Sequence, residues 1–320
     1  MFHSPKFMPD PGKKHRLVTR SDMDELVRAL LLKELGVCDK IKFTHPKDMQ
    51  DSTIEIGPRD ISPNLPYVPG VFLAFDHHES EAERVLGGPR NHVMVVNPKS
   101  AARVVYDYFG GGDAFPRVSE EMMEAVEKAD AARFNRDEVV NAKGWELLSF
   151  LMDSRTGLGH FRDFRVSNYE LMMQLIDHCK ERQKIEEILT LPDVKERVDV
   201  YEQHEEMFRD QSIRCSTVHN YLVVLDLRDE EVILAGNRSM VYALFPDCNI
   251  SIHVIWGRQK QNTVFATGNS IFDRSSQTDI GQLMLSYSGG GHNAADTCQI
   301  ENDAAEETLK EFIQKITSDE

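Results

Sequence analysis

Apolar residues in the first half of the chain come in short blocks separated by helical patterns. Residues 16–19 (RLVT), 53–56 (TIEI) and 71–75 (VFLAF) have the composition of short strands. The spacing of Leu26, Val27, Leu30 and Leu31 predicts a helix over 25–35. Further helices are predicted over 100–109, 119–134 and 138–153. Strands that alternate with helices predict a doubly wound parallel α/β sheet with helices on both faces.

The second half of the chain has a different pattern. Residues 168–210 are almost all helix formers, and strand-like segments follow at 218–226, 231–235, 250–256 and 263–267. Helices are predicted near 239–245, 279–285 and 303–316. We therefore expect two α/β lobes: a domain over 1–180, a helical linker over 181–212, and a smaller mixed domain over 213–320. The active site is expected in the cleft between the lobes.

Charge and composition narrow the class of partner. Lys and Arg number 37 against 53 Asp and Glu, which gives a formal net charge of −16. A field of this sign repels long polyphosphate chains, so we expect a small anionic ligand and no long nucleic acid. No apolar run is long enough to span a membrane, and the first residues lack the apolar core of a signal peptide. These features favour a cytoplasmic protein without a membrane partner.

Carboxylates and imidazoles follow two of the apolar blocks. Asp76, His77 and His78 come directly after 71–75, and together they suit a divalent metal or a phosphate. A solvated surface turn is the alternative. Asp22 and Asp24 follow the first block two residues apart, so in extended backbone both carboxylates point the same way. Their alternative use is to cap the helix over 25–35.

Glycines and arginines are the candidates in the second half. Gly289, Gly290 and Gly291 let the backbone approach an anion closely, and His292 follows them directly. A flexible turn is the alternative. Arg155, Arg238 and Arg258 lie beside glycine or at strand ends, where they could bind phosphate or be plain surface charges. The five cysteines lie far apart, which argues against a zinc knuckle or a disulfide framework. Motifs of P-loop ATPases, serine hydrolases and zincins are absent from the sequence.

In this order the motifs resemble those of the DHH phosphoesterase superfamily, which includes oligoribonucleases and cyclic-dinucleotide phosphodiesterases. The resemblance runs from residue 16 to residue 316, with a DHH metal domain followed by an associated domain that carries a G-G-G-H motif. Asp22 and Asp24 match the first motif, Asp60 the second, and Asp130 the fourth. Asp76, His77 and His78 match the third.

The resemblance implies two divalent cations, usually Mn²⁺, with Mg²⁺ or Co²⁺ as substitutes. Asp24, His77 and Asp130 would hold one cation and Asp22 the other, while Asp60 would bridge them. His78 would face the scissile phosphate. In the second lobe the resemblance implies substrate binding by Gly289, Gly290, Gly291 and His292, and the sequence adds Arg238 and Arg258 as candidates. Two such cations activate a water for attack on phosphorus.

Three positions depart from the superfamily pattern or leave it open. Val18 stands where a metal-binding His is common, so the site that Asp22 serves lacks one protein ligand. Glu25 stands where Gly is common, and it could add a carboxylate, crowd the loop or face water. Asp51 and Glu55 compete with Asp60 for the second motif. Asp60 is preferred because it follows a strand candidate and leaves room for one crossover before Asp76.

The resemblance and the charge together predict a manganese-dependent phosphodiesterase. It would hydrolyse linear dinucleotides, nano-oligonucleotides or cyclic-dinucleotide signalling products to mononucleotides. One alternative is a phosphoanhydride hydrolase that acts on polyphosphate or pyrophosphate. Another is a nucleotide-binding regulatory module that lost activity with the His at position 18. The chain could also form a homodimer.

Overall fold

The computed structural model describes residues 7–10, 12–44, 54–63, 65, 67–76, 89–95, 98–181, 184–289 and 294–319. Contacts divide the chain into two compact units. Unit 1 comprises Met1–Arg133, Lys143–Ser154 and Arg162–Val198, and unit 2 comprises Phe134–Ala142, Arg155–Phe161 and Asp199–Glu320. The domain boundaries expected at 180 and 212 stay predictions. No helix of the described residues is long and apolar enough to cross a membrane.

Unit 1 is built on a parallel sheet of five strands. These are β1 (His15–Thr19), β2 (Cys38–Phe43), β3 (Asp60–Pro63), β4 (Leu73–Asp76) and β5 (His92–Met94), in the order β2-β1-β3-β4-β5. Every neighbouring pair is parallel, which confirms the predicted sheet. From β1 the chain first goes to one side and then to the other, so the switch point lies between β1 and β3. Open α/β sheets bind their ligands at the carboxyl ends of the strands that flank such a switch point.

The helices of the first part of the chain include those predicted over 25–35, 100–109 and 119–134. They are α1 (Met23–Glu34), α2 (Ala101–Tyr108), α3 (Glu120–Asp130), α4 (Arg136–Val140), α5 (Gly144–Met152), α6 (Asn168–Glu181), α7 (Ile185–Leu189) and α8 (Pro192–Arg214). The α1 helix packs against α2, α3 and α6. Its leucines are buried on all sides, and its first turn is buried as well. The charged residues of that turn therefore lie inside unit 1.

Unit 2 is built on a mixed sheet in the order β10-β9-β8-β7-β6. Its elements are β6 (Ser216–His219), β7 (Leu222–Asp226), α9 (Met240–Leu244), β8 (Ile250–Trp256), β9 (Thr263–Asn269), α10 (Ile280–Leu285), β10 (Ala295–Ile300) and α11 (Ala305–Asp319). Only β7 and β8 pair in parallel among these described strands. Ile252 and Val254 face a core with Phe312 of α11, while Val223 faces Val241 of α9 on the other side.

Several predicted elements differ from the structure. Residues 54–56 are not a strand, and the strand begins instead at Asp60. Residues 231–235 are irregular, and the helix predicted over 138–153 is two helices separated by residues 141–143. The sequence pattern did not predict β2, β5 and β10, which are all edge strands. Edge strands bury less apolar surface, so their pattern is weaker.

Candidate active site

The carboxyl edge of the parallel sheet gathers three of the predicted carboxylates. Asp22 follows β1 and caps α1, where its side chain accepts a hydrogen bond from the Glu25 amide at 3.1 Å. Asp24 lies in the first turn of α1. Asp76 is the last residue of β4 and is buried. Asp22 and Asp24 therefore lie at the switch point, and Asp76 lies at the same edge.

Only one of the two carboxylate oxygens of Asp24 accepts a hydrogen bond from the described residues. Its Oδ1 accepts a hydrogen bond from the Ala102 amide of α2 at 2.8 Å. Its Oδ2 lies 2.8 Å from Arg28 Nη2, and within the described residues it accepts no hydrogen bond. Burial raises the pKa of Asp24, the Arg28 charge opposes the rise, and the Asp22 charge adds to it. The Arg28 charge therefore favours the ionised form of this carboxylate.

Glu25 lies inside the same cluster. It is fully buried, accepts a hydrogen bond from the Thr19 hydroxyl, and forms an ion pair with Arg28. Burial raises its pKa to about 7, against the Arg28 charge and with help from Asp22 and Asp24. The structure excludes the alternative in which Glu25 faces water. Glu25 adds a carboxylate to the site.

Asp130 is the last residue of α3, where a carboxylate faces the negative end of the helix dipole. Loss of hydration raises its pKa well above the ordinary value, although the residue keeps an exposed surface. The charges of Asp24 and Asp22 raise that pKa further, and Arg28 opposes them. Asp22, Asp24, Glu25 and Asp130 are thus electrostatic neighbours, and we call these four residues the acidic cluster.

The donor chemistry of the acidic cluster fits a divalent cation. Carboxylate oxygens are the ligands that Mn²⁺ and Mg²⁺ prefer, and Asp24 Oδ2 is a buried oxygen that accepts no hydrogen bond from the described residues. No group of three or more metal-ligating side chains is assembled within the described ranges. His77, the expected imidazole ligand, lies outside them, as does His78.

Asp60 lies at the opposite edge of the sheet. It is the first residue of β3 and pairs in register with Arg16 of β1. The Arg16 guanidinium donates to both of its carboxylate oxygens, at 2.7 and 2.8 Å, and the Gly57 amide donates at 2.8 Å. The structure therefore does not bring Asp60 to the acidic cluster as the expected bridge. The assignment assumed a strand at 53–56 that would end before Asp60, whereas β3 starts there.

The other candidates near the second motif also lie apart from the acidic cluster. Glu55 is exposed at the amino edge, where its carbonyl accepts a hydrogen bond from Arg16. Asp51 lies outside the described residues. Val18 is fully buried against Leu65 in a small apolar cluster. Val18 therefore makes an apolar contact at the position where the resemblance implies a metal-binding His.

In unit 2, two arginines and a histidine lie near one another. The Gly236 amide donates to the Thr156 carbonyl at 2.8 Å, which joins the segments that carry Arg155 and Arg238. His253 lies on β8, and burial lowers its pKa to about 4, helped by the charges of Arg238 and Arg155. The imidazole is therefore neutral at physiological pH beside two permanent cations. Sequence reasoning missed His253, because a lone His in an apolar strand carries no pattern.

Gly289 and Arg258 lie at different places along the sheet of unit 2. A Cβ at Gly289 would lie 2.7 Å from the Thr297 carbonyl oxygen, so only glycine fits there. Thr297 is in register with Ala266 of β9 and through it with His253. Arg258 lies on an exposed turn beyond the end of β8, away from the register position that Thr297, Ala266 and His253 share. The rest of the predicted motif, Gly290, Gly291 and His292, falls outside the described residues.

The chain is similar to solved structures over nearly all of its length. No protein-family model and no curated protein matches it. The pGpG-specific phosphodiesterase PggH from Vibrio cholerae is 57% identical, with coverage of 96% of this chain and 100% of that chain and a TM-score of 0.79. Two weaker likenesses are CDC45 from Entamoeba histolytica (8% identity, 95% of each chain, TM-score 0.48) and the exonuclease RecJ bound to manganese (12% identity, 94% and 90%, TM-score 0.47).

Proposed function

The chain belongs to the DHH phosphoesterase superfamily and to the family of the pGpG-specific phosphodiesterase PggH, and on this premise we propose that its own substrate is pGpG or a similar linear dinucleotide. It is a phosphodiesterase that acts on short nucleotides. The observation that carries the proposal is the acidic cluster, whose Asp22 and Asp24 lie at the switch point of the sheet, in a chain 57% identical to that enzyme. Polyphosphate hydrolysis and a purely regulatory role are the alternatives that the experiment below separates.

We propose that Asp22, Asp24 and Asp130, with His77, hold divalent cations. Mn²⁺ is the proposed ion, with Mg²⁺ or Co²⁺ as substitutes, in two sites as the superfamily resemblance implies. Such ions, when bound, lower the pKa of a coordinated water and neutralise charge on the phosphoryl group. The carboxylates of the acidic cluster would fix the positions of the bound cations. His78 is proposed to face the scissile phosphate.

The nucleotide itself needs positive and hydrogen-bonding groups, which unit 2 supplies. Arg238 can give two parallel hydrogen bonds to a phosphate, and the neutral His253 beside it can donate one more. We propose that Arg238, Gly289, Gly290, Gly291 and His292 contact the nucleotide. Arg258 stays a weaker candidate because it lies on the exposed turn beyond β8. A cytoplasmic location and a homodimer stay predictions.

The proposal is tested with purified protein, pGpG, a cyclic dinucleotide, pyrophosphate and polyphosphate, each with Mn²⁺ and with a chelator. We expect hydrolysis of pGpG that requires the cation. Asp24→Asn should lower kcat by about 100-fold or more, because it removes a ligand. Asp193→Asn, at a buried carboxylate paired with Arg165, is the matched control and should keep kcat.

Two outcomes would contradict the proposed function. Turnover of pyrophosphate or polyphosphate without turnover of pGpG would favour a phosphoanhydride hydrolase. Binding of pGpG without any turnover in the presence of Mn²⁺, Mg²⁺ or Co²⁺ would favour the regulatory module.

A further inference from the structure

Arg28 is a permanent positive charge inside the acidic cluster. It lies one helical turn after Asp24 and Glu25 on α1, and none of its side chain is exposed. Its Nη2 contacts the carboxylates of both residues. The Arg28 charge also opposes the raised pKa of Asp130. Because a guanidinium does not lose its proton in proteins, this charge is present at every physiological pH.

The contacts of Arg28 differ from those of the other fully buried arginine of unit 1. Arg197 donates hydrogen bonds to the Val166 carbonyl and to Asn168, and it stacks on Phe164 at 3.9 Å. Neither terminal nitrogen of Arg28 has a hydrogen-bond partner of good geometry within the described ranges. Apart from a 3.4 Å hydrogen bond from its Nε to the Asp24 carbonyl, Arg28 is held by charge. Arg197 is held by hydrogen bonds and stacking as well as by a contact with Glu196 at 3.1 Å.

Asp24 Oδ2 is the atom over which two cations would compete. It is buried, it lies 2.8 Å from Arg28 Nη2, and its partner oxygen Oδ1 already accepts the Ala102 amide. A divalent cation that binds Asp24 must share this oxygen with the guanidinium or displace it. Glu25 draws the same guanidinium toward itself, and the Thr19 hydroxyl holds Glu25 in place.

We propose that Arg28 is a positioning residue that acts as an internal cation of the acidic cluster. It holds the Asp24 carboxylate when no divalent cation is bound, and it lowers the affinity of the cluster for that cation. Glu25 acts in the opposite direction, because it adds negative charge and shares the guanidinium with Asp24. This inference rests on the proposed function, since it takes the acidic cluster as the cation site.

The test measures Mn²⁺ binding to the full chain by calorimetry and the melting temperature with and without Mn²⁺. Arg28→Met removes the charge at similar length. We expect a lower melting temperature without Mn²⁺, because buried carboxylates lose their partner. We also expect a Kd for Mn²⁺ about tenfold lower than in the wild type, because one positive charge close to the ion is gone. The rise in melting temperature on saturation should be larger.

A second variant covers the case in which Arg28→Met does not fold. Glu25→Gln keeps the shape of the side chain but removes a negative charge, so Mn²⁺ should bind more weakly than in the wild type. Arg197→Met is the matched control at the other buried arginine. It should lower the melting temperature and leave the Kd for Mn²⁺ unchanged.

The outcomes separate this inference from the proposed function. A Kd that is unchanged in Glu25→Gln, or in a folded Arg28→Met, would give Arg28 the same purely structural role as Arg197 and would overturn the inference alone. Lack of Mn²⁺ binding by the wild type would overturn the proposed function and the inference with it.

Discussion

Two buried aspartates of unit 1 show how local contacts decide what a carboxylate can do. Arg16 neutralises Asp60 through two hydrogen bonds, and the Gly57 amide adds a third. Asp24 has one backbone hydrogen bond and an ion contact, and its pKa is raised mainly by burial. A carboxylate that is already satisfied gains little from a metal ion, whereas one that lacks partners gains much. This contrast supports the proposal that the acidic cluster binds the cation, and it favours a structural role for Asp60.

This contrast predicts the effect of Asp60→Asn. The change should lower the free energy of unfolding by about 1–3 kcal/mol, because it weakens a charge-assisted pair with a partly exposed partner. Mn²⁺ affinity and kcat/KM for pGpG should stay within about twofold of the wild type, because Asp60 lies at the opposite edge of the sheet from the acidic cluster. Denaturant unfolding, calorimetry and steady-state kinetics check the three quantities. Loss of Mn²⁺ affinity at wild-type stability would restore Asp60 as a bridging ligand.

At the scale of elements, burial explains only part of which strands the sequence pattern located, because β3 is fully buried and was not predicted. The apolar runs of β1, β4 and β8 stand out in the sequence because helices cover both sides of their sheets. The edge strands β2 (CDKIKF) and β10 (ADTCQI) mix polar and apolar residues without strict alternation, and that signal is weak. The error at 53–56 came from an apolar segment that packs on Val18 without joining the sheet.

The site residues divide in a similar way. Asp22, Asp24 and Asp76 could be predicted because they follow recognisable strands. The ion pairs of Arg28 could also be predicted, since Arg28 lies three and four residues after Glu25 and Asp24 on one helix face. His253 could not be predicted, because its neighbours Arg155 and Arg238 are distant in sequence and only the fold brings the three together.

The segment between α10 and β10 allows a test of the glycine motif. In Gly289→Ala the new methyl group would meet the Thr297 carbonyl oxygen at 2.7 Å and the Met284 carbonyl oxygen at 2.9 Å. Both are backbone atoms, so the strain should cost about 1–3 kcal/mol of the free energy of unfolding. Gly159→Ala is the control in unit 2, because nothing lies within 4 Å of its new methyl group. Equal stability of the two variants would show that the segment relaxes freely.

At the scale of the whole molecule, net charge acts on every anionic substrate. The formal charge of −16 is spread over the chain, while Arg238 and Arg155 form a local positive group around His253. A dinucleotide carries few charges and can be bound within a local positive field. Each additional phosphate of a longer chain extends into the negative field of the surface. Selection for short substrates is therefore expected from charge as well as from shape.

The charge argument predicts how substrate length and salt interact. With Mn²⁺ held constant, kcat/KM for pGpG should exceed that for a ten-residue oligonucleotide with the same first two residues. The gap should narrow as the ionic strength rises from about 0.01 to about 0.15 M, because the screening length falls from about 30 to about 8 Å. The reason is that salt relieves repulsion of the distant phosphates while the bound end is unaffected.

A basic binding track would give the opposite sign, since release of counterions makes binding of long chains weaker as salt rises. Steady-state rates for both substrates across this range distinguish the two cases. A rate for the oligonucleotide that falls with salt would contradict repulsion by the net charge.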